Sequence, residues 1–180
     1  MTLLPPDPDL AVLSPCRTYR YRLTRHWRAG WQDDAIVWVM LNPSTADETL
    51  DDPTIRRCIG FSKAWGAGGM HIVNLFAFRS TDPAALARAD DPVGPDNDEW
   101  MHETVTGWLP PEYASGQRTV VAAWGAHPFA VERAAHCFRT LATDWLCLGT
   151  TKDGHPRHPL YVPKNVEPQA YEFPFAREAA

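Results

Sequence analysis

AIVWVMLNPSTADETLDD, residues 35–52, is the stretch whose reading decides the fold. An unbroken apolar run, 35–41, stops at Asn42-Pro43-Ser44-Thr45, and polar and acidic residues follow. A short apolar run bounded by turn residues reads as a buried strand. The loop at its C-terminal end is where open α/β sheets bind ligands. Three later segments repeat the pattern: 70–76 with Asn74 near its end, 119–124 ending at Gly125, and 145–148 ending at Gly149. Parallel strands would bring these polar ends to one rim.

Working outward, Asp52-Pro53-Thr54 is a helix start, with Asp as N-cap and Pro in the first turn. Ile55, Cys58, Ile59 and Ala64 or Trp65 share an apolar face, and Gly66, Gly68 and Gly69 end the helix before HIVNLFAF at 71–78. Strand, loop, helix and strand make a βαβ unit. Helices are expected over 96–109 and 129–141, with a short turn of helix over 84–88. On the N-terminal side, Tyr19, Tyr21 and Leu23 alternate with Arg20 and Arg22, the period of a half-buried strand with exposed arginines. Those arginines discourage edge pairing or contact phosphate. Ala29-Gly30 fits a turn back into the 35–41 strand. The expected fold is α/β: a three-layer αβα arrangement on a mainly parallel sheet of about four strands, plus an N-terminal β-hairpin. Residues 1–15 read as an extended arm and 16–180 as a single α/β domain, closed by an extended C-terminal cover.

The chain has 180 residues, enough for one domain with a real core. Its net charge of −5 argues against electrostatic binding of nucleic acid by the whole surface, so such contact needs a local basic patch. Eight Trp provide material for core packing and for stacking flat ligands. The four cysteines form no C-x-x-C pair; Cys58, Cys137 and Cys147 sit among apolar neighbours and read as reduced core residues. No run of 18 apolar residues and no signal peptide is seen, so a cytoplasmic protein without membrane contact is expected.

Four groups of residues bear on chemistry. Asn42 in LNPS is either a turn initiator or an amide held over a ligand to position a water. Asn74 interrupts an apolar strand, and a buried carboxamide must find partners. It either bonds the neighbouring loop or reads the edge of a heterocycle. The loop Lys152-Asp153-Gly154-His155-Pro156-Arg157-His158-Pro159 places two imidazoles beside two cations. That set suits stabilisation of developing negative charge, with Lys152 and Arg157 for phosphates, better than it suits a metal. Among the acids, Asp52 is explained as a cap and Asp47 is expected to face the rim. A magnesium site is not forced, because no phosphate-binding glycine loop accompanies it. The motifs call for no metal and no cofactor. WGAHPF at 124–129 is a strand-to-helix turn able to receive an anion.

MLNPSTADETLDDPTIRRC, VNLFAFRSTDP, VAAWG and LGTTKDGHPRHPLYV, in that order, resemble the bacterial family called domain of unknown function 1643. The motif order is also distantly similar to that of the uracil-DNA glycosylase superfamily. VMLNPS resembles its water-positioning motif, which implies that role for Asn42. HIVNLFAFRSTDP resembles the strand bearing a base-reading Asn, here Asn74. HPL resembles the motif whose His stabilises the departing base, here His158. The chain departs from the pattern at Met40, Ser44 and Leu160. The resemblance implies a glycosylase-like fold and hydrolysis of an N-glycosidic bond of a (modified) base in nucleic acid or a nucleotide. Asn42 and His158 are then catalytic, and Asn74 with Phe76 or Phe78 binds the base. Arg79, Lys152, Arg157 and Lys164 form a basic rim, and Ser44, Asp47 and His155 complete the pocket. The alternative is a non-catalytic module that binds a base or nucleotide in the same place. A purely structural partner protein is disfavoured by the polar strand ends.

Overall fold

The computed structural model describes residues 11–44, 51–107 and 118–174. The apolar run at the centre of the sequence forms β3 (Ile36–Met40), with all five residues buried. Its neighbours are β4 (Gly69–Asn74) and β5 (Thr119–Ala122), both parallel to it, and β6 (Trp145–Cys147) runs parallel to β5. Antiparallel strands extend both edges: β1 (Val12–Leu13) and β2 (Arg20–His26) beyond β4, and β7 (Gln169–Ala170) beyond β6. The full order is β1-β2-β4-β3-β5-β6-β7. The α/β class read from the sequence is observed, but the sheet has seven strands rather than about four, of which four are parallel.

Side chains alternate across a strand, and here both faces are covered. Val37, Val39 and Val73 join Met101 and Val105 of α2 (Asn97–Thr106) and Ala134 and Cys137 of α3 (Ala130–Thr140). Ile36, Trp38, Met40, Met70 and Ile72 join Ile55, Cys58 and Phe61 of α1 (Pro53–Ala64). Each such large apolar side chain contributes about 1.5–3 kcal/mol by leaving water. Trp38 brings a polar atom inside and satisfies it through Nε1–H to Oγ of Ser62 at 3.0 Å. Helix α1 begins as its sequence requires: Oδ1 of Asp52 accepts from the backbone N–H of Ile55 at 2.8 Å, and Pro53 is the first helical residue.

Two expectations at the N-terminal end are corrected. No hairpin joins the 20–26 and 36–40 strands, because β4 lies between them; β2 pairs with β4 on one side and β1 on the other. Val12 and Leu13 of the expected arm therefore belong to the sheet. The arginines of β2 are also not simply exposed. Arg20 is 3% exposed, and Arg22 is half-buried with its guanidinium 5.0 Å from the Trp100 ring centroid. The register steps from Val12↔Arg22 to Leu13↔Arg20, leaving one extra residue in β2. Such a bulge breaks strict alternation and re-aims a side chain. Leu23 packs on the α1 side of the sheet, and Arg20, three residues earlier, reaches that side as well.

Candidate functional site

The topology dictates where a crevice opens. Strand β3 has β4 on one side and β5 on the other, so the order of the parallel strands reverses there. In open α/β sheets ligands bind outside the carboxyl ends of the strands at this switch point. A cavity of about 310 Å³ lies there, at the small end of the range for small-molecule sites. The segment after β3 contributes Leu41, Asn42 and Ser44, and the end of β4 contributes Asn74. The turn after β5 contributes Trp124 to His127, and the 3-10 turn Pro159–Tyr161 with its cap supplies His158 and Tyr161. Gly125 bends that turn at φ 77°. A side chain there would be strained and would meet Cβ of His158 at 3.5 Å.

Asn42, Asn74 and His158 thus line one cavity. The amide Nδ2 of Asn42 donates to the carbonyls of Ser80 at 2.9 Å and Pro43 at 3.2 Å. With its donors held by backbone, Asn42 has Oδ1 to offer as an acceptor. Asn74 follows Met70 and Ile72 at the strand period and so faces α1. It is 1% exposed, and its Nδ2 has no hydrogen-bond partner among the described residues. An unpaired buried amide costs about 1–3 kcal/mol, so a ligand acceptor is the natural complement of this group. Nδ1 of His158 accepts from the backbone N–H of Leu160 at 3.3 Å. An accepting Nδ1 places the ring proton on Nε2. Burial holds His158 below the ordinary imidazole value, with Asp52 opposing, so the neutral ring is favoured.

Ser44 lies in the cavity wall, its Oγ 2.5 Å from Oδ2 of Asp52. Asp47 lies outside the described residues. Phe76 and Phe78 do not line the cavity: Phe76 is buried in the core beneath α2 and α3, and Phe78 packs edge-on to Tyr19 against the same core. Strand β4 ends at Asn74; Leu75 and Phe76 still hydrogen-bond to Met40 and Leu41 but both enter the core beneath α2 and α3, and Ala77 and Phe78 bond to Val93 and Pro92, so alternation no longer assigns a face beyond Asn74. Arg79 donates to the Arg17 carbonyl at 3.1 Å, and Arg157 to the Thr150 carbonyl at 3.0 Å. Neither these two, nor Lys152, nor His155 lines the cavity.

The cavity holds residues that sequence reasoning did not place there. Arg20 brings a positive charge into its wall. Burial, then the neighbouring Arg79, lowers Arg20 to about 10 against the opposing pull of Asp52, and it remains charged at neutral pH. Only the bulge in β2 reveals this position, since alternation alone points Arg20 elsewhere. Trp124 and His127, from the strand-to-helix turn read as able to receive an anion, line the cavity too, and so does Tyr161. Tyr161 is 79% exposed, with its ring centroid 5.6 Å from that of His158, and stands as an aromatic at the mouth. Its position three residues after His158 in HPLY was the available signal. Among the described residues no group of three or more His, Cys, Asp or Glu is placed to hold a metal ion, and no helix is long and apolar enough to cross a membrane.

Residues 20–160 match the family described as Protein of unknown function (DUF1643). Neither a curated protein nor a solved structure matches the chain.

Proposed function

We propose that this chain, which belongs to the DUF1643 family, binds a nucleobase in the cavity at the ends of β3 and β4 and hydrolyses its N-glycosidic bond. The observation that carries the reading is the meeting of Asn42, Asn74 and His158 around one cavity, with the buried amide donor of Asn74 unpaired. The distant motif similarity to the uracil-DNA glycosylase superfamily supports it. The substrate is a base carried by nucleic acid or by a nucleotide.

Each residue has a role that its geometry can serve. Asn74 donates to an acceptor on the base edge and holds the base in plane. Oδ1 of Asn42 accepts a hydrogen bond from the attacking water and directs its oxygen at the sugar carbon. As the carbon–nitrogen bond breaks, its electron pair moves to the base. The neutral His158 donates from Nε2–H to the base anion, and the Arg20 charge favours the same species. The water oxygen bonds the sugar carbon, and its released proton neutralises the base. A preorganised donor of this kind is worth about 3 kcal/mol of barrier. Tyr161 at the mouth offers a stacking face. In duplex DNA the base would first have to leave the stack.

The test is incubation with oligonucleotides carrying uracil, hypoxanthine and other altered bases, scoring abasic sites. Release by the wild type, lost in both Asn42→Ala and His158→Ala, supports the enzyme. Binding without release across the panel leaves a base-binding module and removes the hydrolase.

A further inference from the structure

Helix α1 separates two concavities. Ile55, in its first turn, lines the cavity described above, whereas Arg56, Arg57, Gly60 and Phe61 line a second one of about 210 Å³, completed by Lys164. Three of the five residues around this second cleft are cations and none is acidic. The helix itself carries Arg56, Arg57 and Lys63 and no Asp or Glu, in a chain whose net charge is −5. Among the described residues no carboxylate pairs with Arg56, Arg57 or Lys164. The acids at the start of the helix are engaged elsewhere, Asp51 with Arg25 at 2.9 Å and Asp52 with Ser44 and Ile55.

The two arginines are positioned rather than free. Arg57 donates from Nε to the Pro159 carbonyl at 3.1 Å and from Nη2 to the Val162 carbonyl, and its guanidinium lies 5.1 Å from the Phe61 ring centroid. Its acceptors are neutral, so the full charge remains, as does donor capacity at Nη1. Arg56 donates to the backbone carbonyl of Asp51, again a neutral partner. Gly60 adds an independent observation. It sits inside a helix, where Gly costs about 1 kcal/mol relative to Ala. Its φ is not in the left-handed region, and a Cβ there would meet nothing within 4 Å. Neither backbone conformation nor packing demands glycine; its effect is to leave the cleft open between the cations.

We propose that the cleft of Arg56, Arg57, Gly60 and Lys164 is a binding site for a phosphate group, outside the base cavity and independent of whether glycosidic hydrolysis occurs there. Arg57 also holds the carbonyls of Pro159, the first residue of the 3-10 turn carrying Tyr161, and of Val162 just after it, so the two sites share a wall. The phosphate comes from a nucleic-acid backbone or from a free phosphorylated small molecule, and the experiment separates the two.

Binding of a fluorescein-labelled single-stranded oligonucleotide is followed by anisotropy across a salt series, with inorganic phosphate and a nucleoside monophosphate as competitors. The variants are Gly60→Glu, Lys164→Glu and the charge-matched control Arg139→Glu, exposed on α3 and lining neither cavity. Glu is a better helix former than Gly, so Gly60→Glu plugs the cleft with opposite charge without costing the helix; its Tm is measured alongside. The expected result is at least a tenfold loss of oligonucleotide affinity in both cleft variants, less than a twofold change in Arg139→Glu, and a salt slope reduced by about 1 in the cleft variants. Binding of phosphate or mononucleotide alone, with the same sensitivity to the variants, assigns the site to a free phosphorylated molecule. Absence of binding by every probe, equal affinity in the cleft variants and the wild type, or an equal loss in Arg139→Glu overturns the proposal. Because the readout is binding, failure here leaves the base-release test untouched, and failure of base release leaves this site standing.

Discussion

Oγ of Ser44 lies 2.5 Å from Oδ2 of Asp52, while Oδ1 of the same carboxylate caps α1 through the Ile55 N–H at 2.8 Å. One side chain therefore starts the helix and ties down the loop that carries Asn42. Asp52→Ala removes both functions and is expected to cost about 1–2 kcal/mol. Asp52→Asn keeps an oxygen for the cap and should cost less. Urea unfolding of the three proteins checks this order; equal midpoints would mean that the cap contributes nothing.

Asn74→Leu should separate stability from function. The substitution removes a buried donor that has no partner among the described residues, so unfolding is expected at the same Tm or higher. Ligand binding in the cavity should be lost at the same time. Thermal unfolding and base-release assays on one preparation test the pair of outcomes, and a clear fall in Tm would show that Nδ2 is satisfied inside the protein.

Asn42 holds two backbone carbonyls through Nδ2. Asn42→Ala is expected to cost about 1 kcal/mol. Asn42→Asp should be worse at pH 7.5, because a carboxylate then faces those carbonyls without a proton to donate. At acid pH a protonated Asp regains a donor, so its deficit relative to the wild type at the same pH should shrink. Chemical unfolding at both pH values decides it.

His71 is buried on β4, with Nδ1 2.9 Å from Oγ1 of Thr24. Burial first, then the positive charges of Arg118 and Arg22, pushes it down to about 3. The unfolded chain protonates this residue near pH 6.5. Between these values the unfolded state holds a proton that the native state refuses, so stability rises with pH. The contribution is present above pH 6.5 and is lost as pH falls towards about 3, at up to about 1.4 kcal/mol per pH unit. His71→Asn should be less stable at pH 7 but show a flatter dependence between pH 6.5 and 4, read from urea midpoints.

Base release, which rests on the proposed reaction, needs the neutral ring of His158. Burial keeps this ring below the ordinary imidazole value. The rate should therefore hold through neutral pH and fall on an acid limb centred below pH 6.5. His158→Gln should lower the rate and abolish the limb. A limb that survives in the variant would assign the titration to another group.

Much of the fold is legible in local chemistry. The apolar run of β3 cannot remain in water, and its abrupt end marks the loop. Asp52-Pro53 starts a helix because a carboxylate and a pre-set φ satisfy the first turn. Asn74 stands out because an amide among Val73, Leu75 and Phe76 demands an explanation. Edge pairings were not legible: Val12–Leu13 and Gln169–Ala170 are two-residue strands with no pattern of their own.

By itself the sequence determined the α/β class, the helix starts and the residue types at the strand ends, because these follow from hydrophobicity, caps and turns within a few residues. Only the tertiary structure decided which side chains share a cavity. A bulge in β2 carries Arg20 into the cavity, the end of β4 leaves Phe76 in the core and Phe78 packed against it, and a loop far along the chain brings Lys164 to α1. Those outcomes depend on strand order, register and the packing of distant segments, and local sequence carries no energy term for any of them.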